Sequence, residues 1–278
     1  MNPIRKLSIA LMLMLASAFA AAQDIPRDEK GFTEAVAERL RKEVAGAAVS
    51  IKGPLTISFG ELQVNLDRIF KFCGANPQGC ASEVDTYVKG AAQIARDRSA
   101  PPTKETVRPV VRSARYVQIA RQTSPDIQPR ALVDDLVILP ALVFPRTIRL
   151  VTERDNKALG LTADEVFQLA LANLDKELKP LMEVAKPAGR AQIGQLVGDT
   201  FHPSRLIQHS NWAPLAEAQG GTLIVTAPAT DTVLYVGEST PVAIDALRAF
   251  ARELSARAPN PLSDTLLRWT PSGWEAVK

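Results

Sequence analysis

The chain's chemical resources are two cysteines, two histidines and a set of aspartates and arginines. Cys73 and Cys80 are separated by Gly-Ala-Asn-Pro-Gln-Gly. In an oxidising compartment such a pair closes a structural disulfide, whereas a redox-active pair favours Cys-x-x-Cys at a helix N-terminus, where the thiolate is stabilised. His202 and His209 could flank a metal ion together with Asp199. On one helix the two rings would lie about 10 Å apart along the axis, too far to share an ion, so neither metal nor cofactor is expected. Gly-x-Ser-x-Gly, Ser-x-x-Lys, P-loop and dinucleotide-binding glycine patterns are all absent, which leaves no motif for nucleophilic catalysis or for a glycine loop around phosphate. Asp134, Asp135, Asp155 and Asp231 could pair for acid–base work only if the fold gathered them. Asp231 falls at a hairpin tip, where aspartate commonly bonds nearby backbone amides. Arg108 and Arg112 share one face of an extended segment. Their planar forks suit a carboxylate or phosphate, and an ion pair with Asp134 or Asp135 is the ordinary outcome.

These residues need a compartment and a scaffold. Arg5 and Lys6 precede an apolar run of about a dozen residues, Leu7 to Ala18, and Ala-x-Ala patterns end at Ala20 and Ala22. That order of a basic region, a short apolar core and small residues is a secretory signal peptide over residues 1–22, cut after Ala20 or, preferably, Ala22. Its removal leaves 256 of 278 residues and 31 of 33 basic side chains against 30 acidic ones. A near-neutral product offers no polyanion-binding surplus, so nucleic acid is not expected as a partner. No second apolar run approaches the ~20 residues of a membrane span. A soluble periplasmic or secreted protein is expected. At 46% hydrophobic and 23% charged residues, its composition is that of a globular domain.

Phe32, Val36, Leu40 and Val44 mark an amphipathic helix closed by Gly46, and residues 48–66 alternate as two or three strands broken at Gly53-Pro54 and Gly60. Asp67 is placed to cap a short helix, and Ser82-x-x-Asp85 to start a longer one ending near Arg98. Ser99 to Thr106 reads as a linker between an N-terminal layer over 23–98 and a main domain over 107–278. In the main domain, residues 107–117 and 131–151 read as strands, with Pro109, Pro140 and Pro145 at edges or bulges. Thr162-Ala-Asp-Glu165 is a capping box, Pro203 starts a short helix, and Thr240-Pro241 opens another. Hairpins are expected around Pro228–Asp231 and Thr270–Gly273. Strands and helices in mixed runs indicate an α+β fold, mixed antiparallel sheets packed against amphipathic helices.

From Arg108-Pro-Val-Val-Arg112 onward the chain resembles the bacterial "domain of unknown function 1444" family. The resemblance continues through Asp135-Leu-Val-Ile-Leu, Leu161-Thr-Ala-Asp-Glu165, Ala172-Asn-Leu174, Pro203-Ser-Arg-Leu-Ile207, Ala227-Pro-Ala-Thr-Asp231 and the closing stretch to Trp274. It implies an α+β domain without an established activity and singles out Arg112, Asp135, Asn173, Ser204, Arg205 and Asp231 as family-like polar positions. Val143-Phe144-Pro145 departs from the acidic residue that members often carry at the corresponding strand end. Arg112, Asp135, Ser204, Arg205 and Asp231 form the candidate site for an anionic small molecule or the acidic group of an envelope protein. Two other accounts are open: a hydrolase using Asp and Arg residues on the sheet, and a structural or assembly factor. An internal network, with Arg112 and Arg205 paired to Asp135 and Asp231, is the competing role for the same five residues.

Overall fold

A computed structural model describes residues 25–44, 48–59 and 62–277. The expected signal peptide, and the expected breaks at Gly46 and Gly60, lie outside the described residues. The chain is α+β, with three antiparallel sheets among the described residues, and it divides into two compact units. Residues up to Ala100 with Pro145–Thr147 form one; Pro101–Phe144 with Ile148–Lys278 form the other.

The first unit comprises helix α1 (Glu29–Glu43), strands β1 (Val49–Gly53), β2 (Thr56–Phe59) and β3 (Leu62–Asn65), and helices α2 (Asp67–Ala75) and α3 (Pro77–Ser99). Phe32, Val36 and Leu40, four residues apart, bury one face of α1 against Ile57, Phe59, Leu66, Val84 and Val88. The strands form a meander in the order β1-β2-β3. Its first turn places Leu55 at φ 54°, a strained conformation for a residue with a Cβ. Two bonds hold it there: Leu55 N–H donates to Thr33 Oγ1 at 2.9 Å, and Leu55 C=O accepts from Leu66 N–H at 2.7 Å. The helix starts differ from expectation. Asp67 is the first residue of α2 rather than its cap, and its N–H is taken by Asn65 Oδ1. Helix α3 begins at Pro77, not near Ser82, because Asn76 Oδ1 accepts from Gly79 N–H and proline suits the first helical position. The buried Asp97 of α3 accepts from Gln93 Nε2 and from the backbone N–H of Arg146.

Cys73 and Cys80 are disulfide-bonded, linking the end of α2 to the first turn of α3. Cys80 is buried in the unit's core. Replacing both with serine is expected to lower stability by about 2–3 kcal/mol through the loss of an eight-residue loop closure. Thermal melting read by circular dichroism checks this, and an unchanged midpoint would reject it.

The second unit holds β4 (Val107–Ser113), α4 (Ala114–Ala120), β5 (Arg130–Val133), β6 (Leu136–Val143), β7 (Ile148–Leu150), α5 (Glu153–Leu159), α6 (Ala163–Glu177) and α7 (Leu181–Val184). These are followed by β8 (Gly194–Val197), α8 (Ala213–Ala218), β9 (Ile224–Ala229), β10 (Thr232–Val236), α9 (Pro241–Arg257), β11 (Leu266–Thr270) and β12 (Gly273–Val277). The segment expected to run as a strand to Val117 turns instead at Ser113, whose Oγ accepts from Tyr116 N–H and caps α4. In the smaller sheet β6 is flanked by β4 on one side and by β5 and β7 on the other. Pro140 sits opposite Pro109 on β4, in the gap between the register of β5, which ends at Ile138, and that of β7, which begins at Ala141. A missing N–H is harmless at such a place. The larger sheet runs β12-β11-β9-β10-β8. Every residue of β9 is buried because both faces are covered. Ile224, Leu234 and Val236 pack on Leu247 and Ala251 of α9, while Val225, Val233 and Tyr235 face Trp212, Leu215, Val111 and Leu136.

Helix α6 shows how sequence-level signals become packing. Thr162 and Glu165 form the expected capping box, and Glu165 sits below its usual carboxylate range because its carboxylate accepts the Thr162 N–H and hydroxyl. From the buried face of the same helix, Asn173 Nδ2 donates to the carbonyls of Lys104 and Val107. That amide ties α6 to the start of β4.

Candidate functional site

The segment from Asp199 to Trp212 lies within the second unit and carries two of the five candidate residues. It forms two short 3-10 turns, Pro203–Ile207 and His209–Trp212, a conformation that leaves carbonyls without helical partners. Three indoles bond to carbonyls of these turns, one of which, Arg205 O, also accepts from Gln208 N–H at 3.1 Å. Trp212 Nε1 donates to Arg205 O at 2.9 Å, Trp274 Nε1 to Leu206 O at 2.8 Å and Trp269 Nε1 to His209 O at 3.2 Å. Trp269 and Trp274 face each other across the β11–β12 hairpin. The His209 ring stacks on the first and meets the second edge-on. The three tryptophans are the positioning residues that sequence reasoning missed. Two of them flanking a Thr-Pro-Ser-Gly turn was the available signal, since such residues become a cross-strand pair.

Ser204 and Arg205 are buried on this scaffold. Ser204 Oγ donates to Pro109 O of β4 at 2.9 Å, so its hydroxyl is used in holding the turn. The turn is five residues long, too short for the aligned peptide dipoles that make a helix start attract anions. Arg205 Nη1 donates to Lys179 O at 2.8 Å, and its Nε is buried without a partner. Burial pushes the guanidinium pKa down, opposed by the Asp199 carboxylate, yet no carboxylate of the described residues reaches ion-pair distance. His202 is buried in the same segment, and its Nδ1 has no partner. Burial lowers the imidazole pKa first of all; Asp199 opposes this, the Arg205 charge adds to the lowering, and Asp231 also opposes it.

The other three candidates stand elsewhere in the unit. Asp135, in the β5–β6 turn, accepts from Ser263 Oγ at 2.7 Å and Thr265 Oγ1 at 3.2 Å, and its carbonyl accepts from Ala114 N–H. It thereby joins the smaller sheet to the α9–β11 connection. Asp231 sits at the tip of the β9–β10 hairpin, where its Oδ1 accepts from Thr232 Oγ1 and its carbonyl from Gly198 N–H. Arg112, near the end of β4, donates from Nη1 to Val111 O and lies 5.6 Å from the Tyr116 ring centre. Burial lowers its pKa and Tyr116 opposes the effect. No ion pair or hydrogen bond joins any two of the five among the described residues, so the Arg–Asp network expected between them does not form. Arg108 pairs with Glu177 of α6 rather than with Asp134 or Asp135, since the packing of α6 on β4 puts that carboxylate beside it. No three Asp, Glu, His or Cys side chains converge as metal ligands among the described residues, and none of their helices is long and apolar enough to cross a membrane.

The buried His202 generates a pH prediction. A lowered native pKa means that the unfolded chain binds the extra proton first, so stability is full above the ordinary imidazole value of 6.5 and is lost as pH falls below it. Melting of the wild type is expected to drop between about pH 7 and about pH 5, and His202→Gln to flatten that drop. An identical pH profile for both proteins would reject the assignment.

No family model matches the chain, and no solved structure matches it. It is 24% identical over 169 residues to a UPF0354 protein of Bacillus cytotoxicus, covering 61% of this chain and 62% of that relative. It is 22% identical over 216 residues to UPF0354 proteins of Bacillus cereus and Bacillus thuringiensis, covering 78% of each chain. The protein is thus a distant relative of an uncharacterised group of bacterial proteins carrying the UPF0354 name.

Proposed function

We propose that the protein is an exported, non-enzymatic binding protein of the bacterial envelope that takes an anionic group, within the family resembled from Arg108 onward. One observation carries the reading: Arg112 and Arg205 are both desolvated guanidiniums with no carboxylate at ion-pair distance among the described residues. Removing a cation from water is costly unless a counter-charge compensates it. Each guanidinium is suited to an oxyanion supplied from outside, a carboxylate or a phosphate. Asp135, Ser204 and Asp231 take part as groups that hold the surrounding elements, through the bonds described above. The relatives lend no activity of their own, because their names state none.

The test is thermal stability of the mature chain in phosphate or citrate against chloride at matched ionic strength. A ligand at ten times its Kd adds about 1.4 kcal/mol, which raises the Tm by roughly 3–5 °C. A saturable rise of that kind is expected in the wild type and is expected to disappear in Arg205→Gln, with Arg112→Gln as the second variant if the first does not fold. A wild type indifferent to the anion would overturn the reading. Export has its own check: the mass of the protein recovered from the periplasm should correspond to a chain beginning at Gln23, and an intact N-terminus would exclude it.

A further inference from the structure

From Thr106 to Pro125 the chain has four arginines, no lysine and no acid. Arg108 is neutralised by Glu177. The other three, Arg112, Arg115 and Arg121, are without a carboxylate at ion-pair distance among the described residues. They surround α4, which buries only Val117. Its outward side carries Tyr116, 41% exposed, and Ile119, 57% exposed. Helical geometry puts Arg115 and Ile119, four residues apart, on one crest, with Tyr116 beside them. Arg112 reaches the same place from the end of β4, its guanidinium over the Tyr116 ring. The neighbouring carboxylates are already used: Asp126 accepts from Glu153 N–H, and Asp135 from Ser263 and Thr265.

The geometry points to α4 and the end of β4 as a docking surface for an acidic segment of another protein, one whose carboxylates flank an apolar side chain. This rests on the binding reading above and names the chemistry of the partner. Three positive charges without a carboxylate at ion-pair distance among the described residues, one in α4 and one at each end of it, call for negative charge. The cations are all arginines, whose forks bind carboxylates in a fixed plane, and Arg112 is pre-oriented on an aromatic face, so little freedom is lost when an acid docks. Tyrosine, arginine and isoleucine side by side also supply the apolar contact that excludes water around such pairs. An anionic bilayer fits less well, because two apolar side chains on a seven-residue helix offer little area to insert.

The probe is a phage-displayed library of random 12-residue peptides panned on the intact mature protein, with the enriched peptides resynthesised as written and with every Asp and Glu changed to Asn and Gln. Enriched peptides are expected to carry several acids around an apolar residue and to bind at least about ten-fold more tightly than their amide twins. The variant Arg115→Gln/Ile119→Ser should lose about ten-fold in peptide binding while keeping the wild-type melting midpoint and any oxyanion-induced rise. Arg115→Gln alone serves if the double variant does not fold. Enrichment of peptides without acids, equal binding of the amide twins, or undiminished binding by the variant would each overturn the proposal. So would a failure to enrich peptides accompanied by variant-sensitive binding to phosphatidylglycerol vesicles. A wild type that responds to oxyanions yet enriches no acidic peptide rejects this inference alone; one that does neither rejects the underlying reading too.

Discussion

The second unit depends on satisfying the backbone of a segment that belongs to no sheet and to no long helix. Between Arg205 and His209 the chain is wound in 3-10 turns, where Gln208 N–H returns to Arg205 O and the remaining carbonyl capacity calls for side-chain donors. Three tryptophans supply them, each burying a large ring in or beside the core while its single N–H reaches a carbonyl. Trp212 comes from the segment itself and the other two from the terminal hairpin. The last strands of the chain therefore determine the conformation of a turn some sixty residues earlier. That turn is bonded to β4 through Ser204 and to the segment just beyond α6, at Lys179, through Arg205, so it ties both to the core.

Polar residues in this unit fall into two physical classes. Asp155, Asn173, Ser204 and Tyr235 are buried with their bonds made: Asp155 takes both contacts of Arg149 and the Thr152 cap, and Tyr235 exchanges two bonds with the backbone of Lys186. Such groups specify the fold, since each would be expensive if misplaced. Arg205 and His202 are desolvated with one nitrogen each left without a partner, and Arg112 is desolvated without a carboxylate at ion-pair distance among the described residues. The distinction is one of counter-charge rather than residue type: Arg149 and Arg205 each bury an unpartnered Nε, yet Arg149 is paired with Asp155 while Arg205 has no carboxylate at ion-pair distance among the described residues.

Much of the architecture was legible in the sequence where the causes are local. Thr162 with Glu165, Thr240 before Pro241, and the turns at Asp231 and Thr270–Gly273 act through bonds within a few residues, and each stands as read. The α1 stripe and the cysteine pair were legible for the same reason, one as a periodicity and one as a short loop. The helix starts at Asn76 and Ser113 were not, since competing caps lay within a few residues and only packing chose between them. The choice at Ser113 matters most, because a strand continuing to Val117 would have alternated Arg115, Tyr116 and Ile119 between faces instead of gathering them on one crest.

By itself, the sequence determined the class of fold, the alternation of strands and helices, the disulfide and the identity of the charged groups. All of these follow from composition, from periodicity and from interactions between residues close in the chain. Tertiary structure alone decided which charges are compensated. Arg108 found Glu177 across 69 residues, and Asp135 found Ser263 across 128, while Arg112 and Arg205 found no acid among the described residues. Pairing of this kind depends on distances through space that no spacing along the chain encodes.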